Sequence, residues 1–214
     1  SGGPVVKGEE IVGIAFEALD EAENVGYMIG APVVKHFLRD IEQGVSDGFP
    51  DLGVVVQALE SKAHRRSLKL SPNSHSGVLI TGVMHGGSAD GILKEGDVLL
   101  ALDNKYVAAD GSVSFRKGER IDMAHQVAKR HVGDTIPVKV NRKGNEHTFK
   151  IRLNPPRYLV AEDAYDVKPT YYLYGGLLFV PLSRDLLKTW GSEWWQDAPP
   201  EIIAIYENEI CTST

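Results

Sequence analysis

The first apolar run is Ile11–Phe16, and its continuity predicts a buried strand. An acidic stretch, Glu17–Asn24, follows, and Val25–Ile29 reads as a second short strand. Val34, Phe37, Leu38 and Ile41 then recur every three or four residues, which predicts a helix with one apolar face. Pro32 suits its first turn and Gly44 its end. Lys35, Arg39, Asp40 and Glu42 fall on the opposite face. These elements make a first block, residues 1–44.

Gly48, Phe49 and Pro50 read as a linker to a second block, residues 48–155. Its pattern predicts strands at Leu52–Leu59, Gly77–Met84, Asp97–Leu102, Thr135–Arg142 and Glu146–Leu153. Lys143-Gly144-Asn145 closes the last two into a hairpin. Short helices are expected at Lys62–Leu68 and Ala89–Leu93, and a longer one at Glu119–His131, with Gly133 beyond its end. The block is therefore mainly β with two to three helices, a partly open barrel or sandwich. Pro155-Pro156 marks the next boundary. In residues 165–214, Tyr171–Val180 is strand-like but interrupted by Gly175-Gly176. Arg184–Trp195 reads as a helix and Ile202–Tyr206 as a strand. About 50 residues rarely form a β domain alone, so this third block reads as an incomplete one.

Composition narrows the partners. The chain has 214 residues, 43% of them hydrophobic, which is enough apolar material for a core. Twenty-three basic against 29 acidic residues give a formal charge of −6, so the chain lacks a general footprint for nucleic acid. No run approaches the roughly 20 apolar residues of a membrane span. The single Cys211 excludes an internal disulfide and a thiolate cluster. The chain opens on Ser1-Gly2-Gly3-Pro4 with no initiator Met or signal segment, and reads as a fragment of a longer one.

Most chemical motifs are missing. The seven histidines (His36, His64, His75, His85, His125, His131 and His147) form no His-Glu-x-x-His and have no cysteine at zinc spacing. No metal or cofactor site is expected. No phosphate loop occurs; Gly86-Gly87 lacks the Lys-Ser/Thr that would complete one. Trp190, Trp194 and Trp195 read as a core stripe rather than a binding platform.

Two stretches carry a resemblance. Ser1-Gly2-Gly3-Pro4, Val12-Gly13-Ile14-Ala15-Phe16 and Asn24-Val25-Gly26-Tyr27-Met28-Ile29 resemble the end of the protease domain of HtrA/Deg serine proteases, which has a chymotrypsin-like β-barrel. Gly30 departs from the proline usual there. Gly77-Val78-Leu79-Ile80, Leu93-Lys94-Glu95-Gly96-Asp97-Val98-Leu99-Leu100 and Asp103 resemble a PDZ domain, with Asp51-Leu52-Gly53-Val54 at its carboxylate-binding loop. Ser114-Phe115-Arg116 to Glu119-Arg120-Ile121 is similar to the plant-type members with two PDZ domains. Gly175-Gly176-Leu177-Leu178-Phe179 resembles the loop of the second.

The resemblance implies an ATP-independent endopeptidase of protein quality control, with Ser1 as nucleophile in the parent enzyme and the catalytic His and Asp upstream. This chain alone is then expected to be inactive. It implies peptide binding by Leu52, Gly53 and Val54, facing Ile121, His125 and Ala128 on a helix. It implies unfolded proteins or peptides as partners, trimer-based homo-oligomers, and residence in a chloroplast, mitochondrion or nucleus. Read without the resemblance, Ile121, Ala124, His125 and Ala128 share one helix face that either lines a groove or faces the core. The rival reading is a non-catalytic PDZ scaffold or a pseudoprotease that kept the Ser-Gly-Gly-Pro turn.

Overall fold

The computed structural model describes residues 2–18, 26–42, 44, 47–70, 77–165 and 167–207. The chain begins with an antiparallel sheet, β1 (Pro4–Lys7), β2 (Glu10–Ala18) and β3 (Gly26–Gly30), in that spatial order. The sheet is open rather than closed into a barrel. Ile14 pairs with Pro4 on one side and Ile29 on the other. A Cβ on Gly13 would stand 2.6 Å from the Ile29 carbonyl, so only glycine lets β2 and β3 approach so closely here.

Helix α1 (Ala31–Glu42) follows directly, with Pro32 in its first turn as expected. Its burial runs opposite to its hydrophobic periodicity. Phe37, Leu38 and Ile41 are about half exposed, whereas His36 and Asp40 are each 7% exposed. The polar face is covered because it leans on Phe49 and His131, whose rings stack beside His36. Periodicity identifies a face; it does not say which neighbour the helix meets.

The middle block is built on one sheet in the order β11-β10-β6-β5-β4, with β7 added to β6. Its strands are β4 (Val54–Gln57), β5 (Val78–Val83), β6 (Val98–Leu102), β7 (Lys105–Tyr106), β10 (Thr135–Arg142) and β11 (Asn145–Arg152). Helix α2 (Lys62–Ser67) is capped by Ser61, whose hydroxyl accepts the His64 N–H. Ile80, Leu99, Val138, Val140 and Ile151 are fully buried, and Leu52, Met123 and Val127 close the same core. Asp97, 1% exposed, is held by two prongs of Arg142, both at 2.7 Å, and accepts the Lys94 N–H. That pair ties the loop before β6 to the end of β10.

The helix expected at Glu119–His131 is mostly not helical. Residues 112–116 and 119–122 form a hairpin, β8 (Ser112–Arg116) and β9 (Glu119–Asp122), turned at Lys117-Gly118. Gly118 has a φ of +79°, which favours the turn. Arg120 locks the hairpin through the Ser112 hydroxyl and carbonyl, at 2.7 and 2.8 Å. Helix α3 then covers only Ala124–Ala128, with the Asp122 carboxylate accepting the Ala124 N–H. Ala89–Leu93, expected as a helix, is a run of turns.

At the sheet edge, β4 pairs among the described residues with β5 alone. Val55 faces Gly82 and Val56 faces Ile80, so Thr81 is an extra residue that bulges β5 at this point.

Downstream, Val160 to Glu207 carries a hairpin and several short helices. Strands β12 (Tyr172–Tyr174) and β13 (Leu177–Phe179) turn at Gly175-Gly176. Arg184–Trp195 is not one helix. It splits into α4 (Arg184–Leu187), a 3-10 turn (Lys188–Trp190) and α5 (Trp194–Asp197), broken at Gly191 with φ +113°. Ile202–Tyr206 lies in a helix, α6 (Pro200–Glu207), because Pro200 starts it and its residues pack on Leu187, Ala198 and Trp194. Of the tryptophan stripe, Trp194 joins this small core, while Trp190 and Trp195 are exposed.

Candidate functional site

Gly53 turns the chain from the linker into β4. Its φ is +73°, and a Cβ there would lie 3.2 Å from Gly87 Cα. The turn is braced on three sides. The Asp51 N–H donates to the Asn154 carbonyl at 3.0 Å, and Ala89 N–H donates to the Leu52 carbonyl at 3.0 Å. The Met84 N–H donates to the Gly53 carbonyl at 2.9 Å. Ser88, nearly buried, donates to the Asp51 carbonyl and accepts the Asn154 N–H.

This bonding sets what β4 shows to solvent. The Gly53 carbonyl faces β5, so alternation turns the N–H and C=O of Val54 away from it. The main chain of Ile80, opposite Val56, is already bonded to Asp97 and Gly96 on its far side. Val56 therefore also presents its N–H and C=O outward. Both valines are half-buried beside the core, and Ile121 packs on that same core. The result is an apolar-floored strand edge with outward main-chain groups at alternate residues.

Leu52, Gly53 and Val54 run consecutively through this turn into β4. Ile121 lies near the groove floor but on β9, not on a helix. His125 and Ala128 are on α3, where they line a cavity of about 330 Å³ whose other walls include Pro32, Val33 and His36 of α1. His125 meets Phe115 edge-on at 5.4 Å. Ser1 and His75 lie outside the described residues, as does most of Glu17–Asn24. Arg65 is no solvated cation on a helix face: it is buried and donates to the Leu59 carbonyl at 2.8 Å.

Sequence reading missed two features. The first is Asp51 itself, whose carboxylate accepts the Gly53 N–H. An aspartate two residues before a turn glycine is the usual signal for such a bond. Next to it, the Asp90 carboxylate accepts the Gly86 N–H at 2.7 Å. That bond is the main reason its carboxyl is held below the ordinary range, and His85 at 3.3 Å adds to it. The second is a cluster of His36, Asp40 and His131, whose polar atoms lie within 4.8 Å of one another. Nδ1 of His131 is 3.1 Å from Asp40, and Nε2 of His36 is 3.1 Å from the Gly48 carbonyl. The two imidazoles stack at 4.0 Å with 15° between planes, so their in-plane nitrogen lone pairs run side by side instead of converging as ligands must. The cluster acts as a clasp between α1 and the middle block. Spacing could not reveal it, because its members come from both.

Residues 50–153 match a PDZ domain model, and residues 160–214 match another. Protease Do-like 4, mitochondrial, of Arabidopsis thaliana is 37% identical over 185 residues. The alignment covers 86% of this chain and 36% of that protein. Protease Do-like 2, chloroplastic, of the same plant is 38% identical over 192 residues, covering 88% and 31%. The chain belongs to the HtrA/Deg family. It spans about a third of the length of these relatives. Among solved structures, an HtrA-type protease AlgW with decapeptide is 27% identical, covering 67% of this chain and 42% of that one. Its TM-score of 0.46 makes it a loose overall match. Within the HtrA/Deg frame, the Gly53 turn leads into β4, an edge strand of the PDZ sheet.

Proposed function

We propose that this chain is the substrate-holding part of an ATP-independent serine endopeptidase that degrades unfolded proteins. The observation that carries the reading is the β4 edge: outward main-chain groups at Val54 and Val56, beside a braced Gly53 turn and an apolar floor. An extended polypeptide adds to such an edge as an extra strand. Main-chain bonds give affinity without demanding one sequence, which suits a binder of many unfolded chains. Leu52, Gly53 and Val54 form the strand side of this groove and Ile121 packs on the core beside it, while His125 and Ala128 face the cavity beside α1. Affinity is modest, about micromolar, because a flexible peptide must be ordered on binding.

In the whole protein, the Ser1 hydroxyl attacks the scissile carbonyl, and glycine-flanked backbone N–H groups hold the oxyanion. The acyl-enzyme on Ser1 is then released by water. The histidine and aspartate that activate the serine come from outside this chain, and copies of the protein assemble as homo-oligomers.

Two experiments test this. Titration of the chain with a library of extended peptides is expected to find micromolar binders that lose affinity on Gly53→Val. A library without binders removes the groove. In the longer protein, an active-site phosphonate is expected to label Ser1 and to fail after Ser1→Ala. Absent labelling with intact peptide binding favours the scaffold reading.

A further inference from the structure

We propose that Asp51 makes the head of the β4 groove reject free carboxylate chain ends, so that the groove takes internal extended segments of unfolded polypeptide. The inference rests on the peptide-binding reading above and specifies its substrate class. Its starting point is the Gly53 N–H, one of the turn donors at the end of the β4 edge. The chain's own Asp51 carboxylate already occupies it. The adjoining turn repeats the arrangement, with the Gly86 N–H given to Asp90. The two turns are in contact, since the space a Gly53 Cβ would need is filled by Gly87. Two negative side chains thus occupy turn donors at the end of the groove where a peptide terminus would arrive.

The main chain under Asp51 cannot readily turn away. Its N–H is bonded to Asn154 and its carbonyl to Ser88. An incoming carboxylate must displace the Asp51 side chain or lie beside a like charge, and both weaken binding. An internal segment escapes this. It needs only the outward N–H and C=O groups of Val54 and Val56 and passes the head of the groove as neutral peptide.

The test uses octapeptides ending in leucine, valine, phenylalanine or tyrosine, each made as free acid and as C-terminal amide. They are titrated by fluorescence anisotropy into the 214-residue chain, Asp51→Asn and Asp51→Ser. Both variants keep an oxygen for the Gly53 N–H and remove the charge, Asp51→Asn with the shape kept and Asp51→Ser with a shorter side chain. The unaltered chain is expected to bind amides about tenfold more tightly than acids at low salt, with the gap narrowing as salt screens it. Both variants are expected to bring the acids to within about twofold of the amides. Acids binding as well as amides to the unaltered chain, or a gap that neither variant narrows, overturns the inference and leaves the groove standing. Binding of neither form to any of the three proteins overturns the groove reading, and this inference with it.

Discussion

His131 Nδ1 lies 3.1 Å from Asp40 Oδ1, which joins the helix after the first sheet to the segment after α3. The contact is nearly buried, with His36 stacked on His131 and Phe49 stacked on His36. Removing Asp40 leaves the His131 imidazole without its acceptor and takes away the carboxylate 3.6 Å from Nε2 of His36. Asp40→Ala is expected to lower the opening free energy of α1 by about 1–3 kcal/mol. Hydrogen exchange should show faster opening over residues 31–42 with unchanged protection in β5, β6 and β10. Equal loss of protection in those strands would contradict a local clasp.

The Asp97–Arg142 pair is a two-pronged tie in the middle sheet. Asp97 is buried, and the Arg142 guanidinium is raised in pKa chiefly by its hydrogen bonds to that carboxylate. Truncating one side strands the other. Asp97→Ala is expected to cost about 3–5 kcal/mol in urea unfolding of this block. A loss below about 1 kcal/mol would mean that the pair is no more than a surface ion pair.

Gly53→Val tests the turn rather than the strand. A β-branched residue is strained at a φ of +73°, and its Cβ meets Gly87. Peptide affinity is expected to fall by more than about tenfold, with stability lowered by about 1–3 kcal/mol. Gln57→Val, in the same strand but with neither constraint, serves as the comparison and should retain binding.

Asp163 accepts from Lys188 at 2.6 Å and lies 4.0 Å from Arg184. The Lys188 bond is the main cause of its lowered pKa. Because the folded carboxyl titrates below the usual 3.8, its stabilising effect is complete above that pH and is lost as pH falls through the folded value. All three tryptophans of the chain lie in α4–α6 or the turn between them, so intrinsic fluorescence reports this region selectively. An acid titration is expected to show loosening below about pH 3.8 that Asp163→Asn removes, at the cost of lower stability at neutral pH. A transition unchanged by the variant would separate Asp163 from acid sensitivity.

Strands with clear turn punctuation were legible: Thr135–Arg142 matches its predicted limits, and Lys143-Gly144 closes the hairpin after it. The Gly53 turn was legible because its glycine and the apolar run after it mark a strand start. The failures have physical causes. Ile202–Tyr206 is short and apolar throughout, so no period distinguishes strand from helix, and Pro200 and the Leu187 contact decide it. Glu119–Asp122 has helix-compatible residues, yet the Gly118 turn and the Arg120 bonds to Ser112 fold it into a hairpin. Asp51's role needed coordinates, because a carboxylate beside a turn glycine can face either the chain or a guest.

The extra residue Thr81 in β5 has a consequence for how the β4 edge meets other strands. Its hydroxyl reaches across to the Val55 carbonyl at 3.3 Å, and the bulge twists β4 away from flatness. An exposed strand edge is a hazard in a protein that meets sticky, unfolded polypeptide, because a long flat edge invites stacking without end. Here the edge is four residues long and bent. A strand added there, as the proposed function requires, would find a short stretch and no straight template for a next layer, so a bound chain would not seed an aggregate.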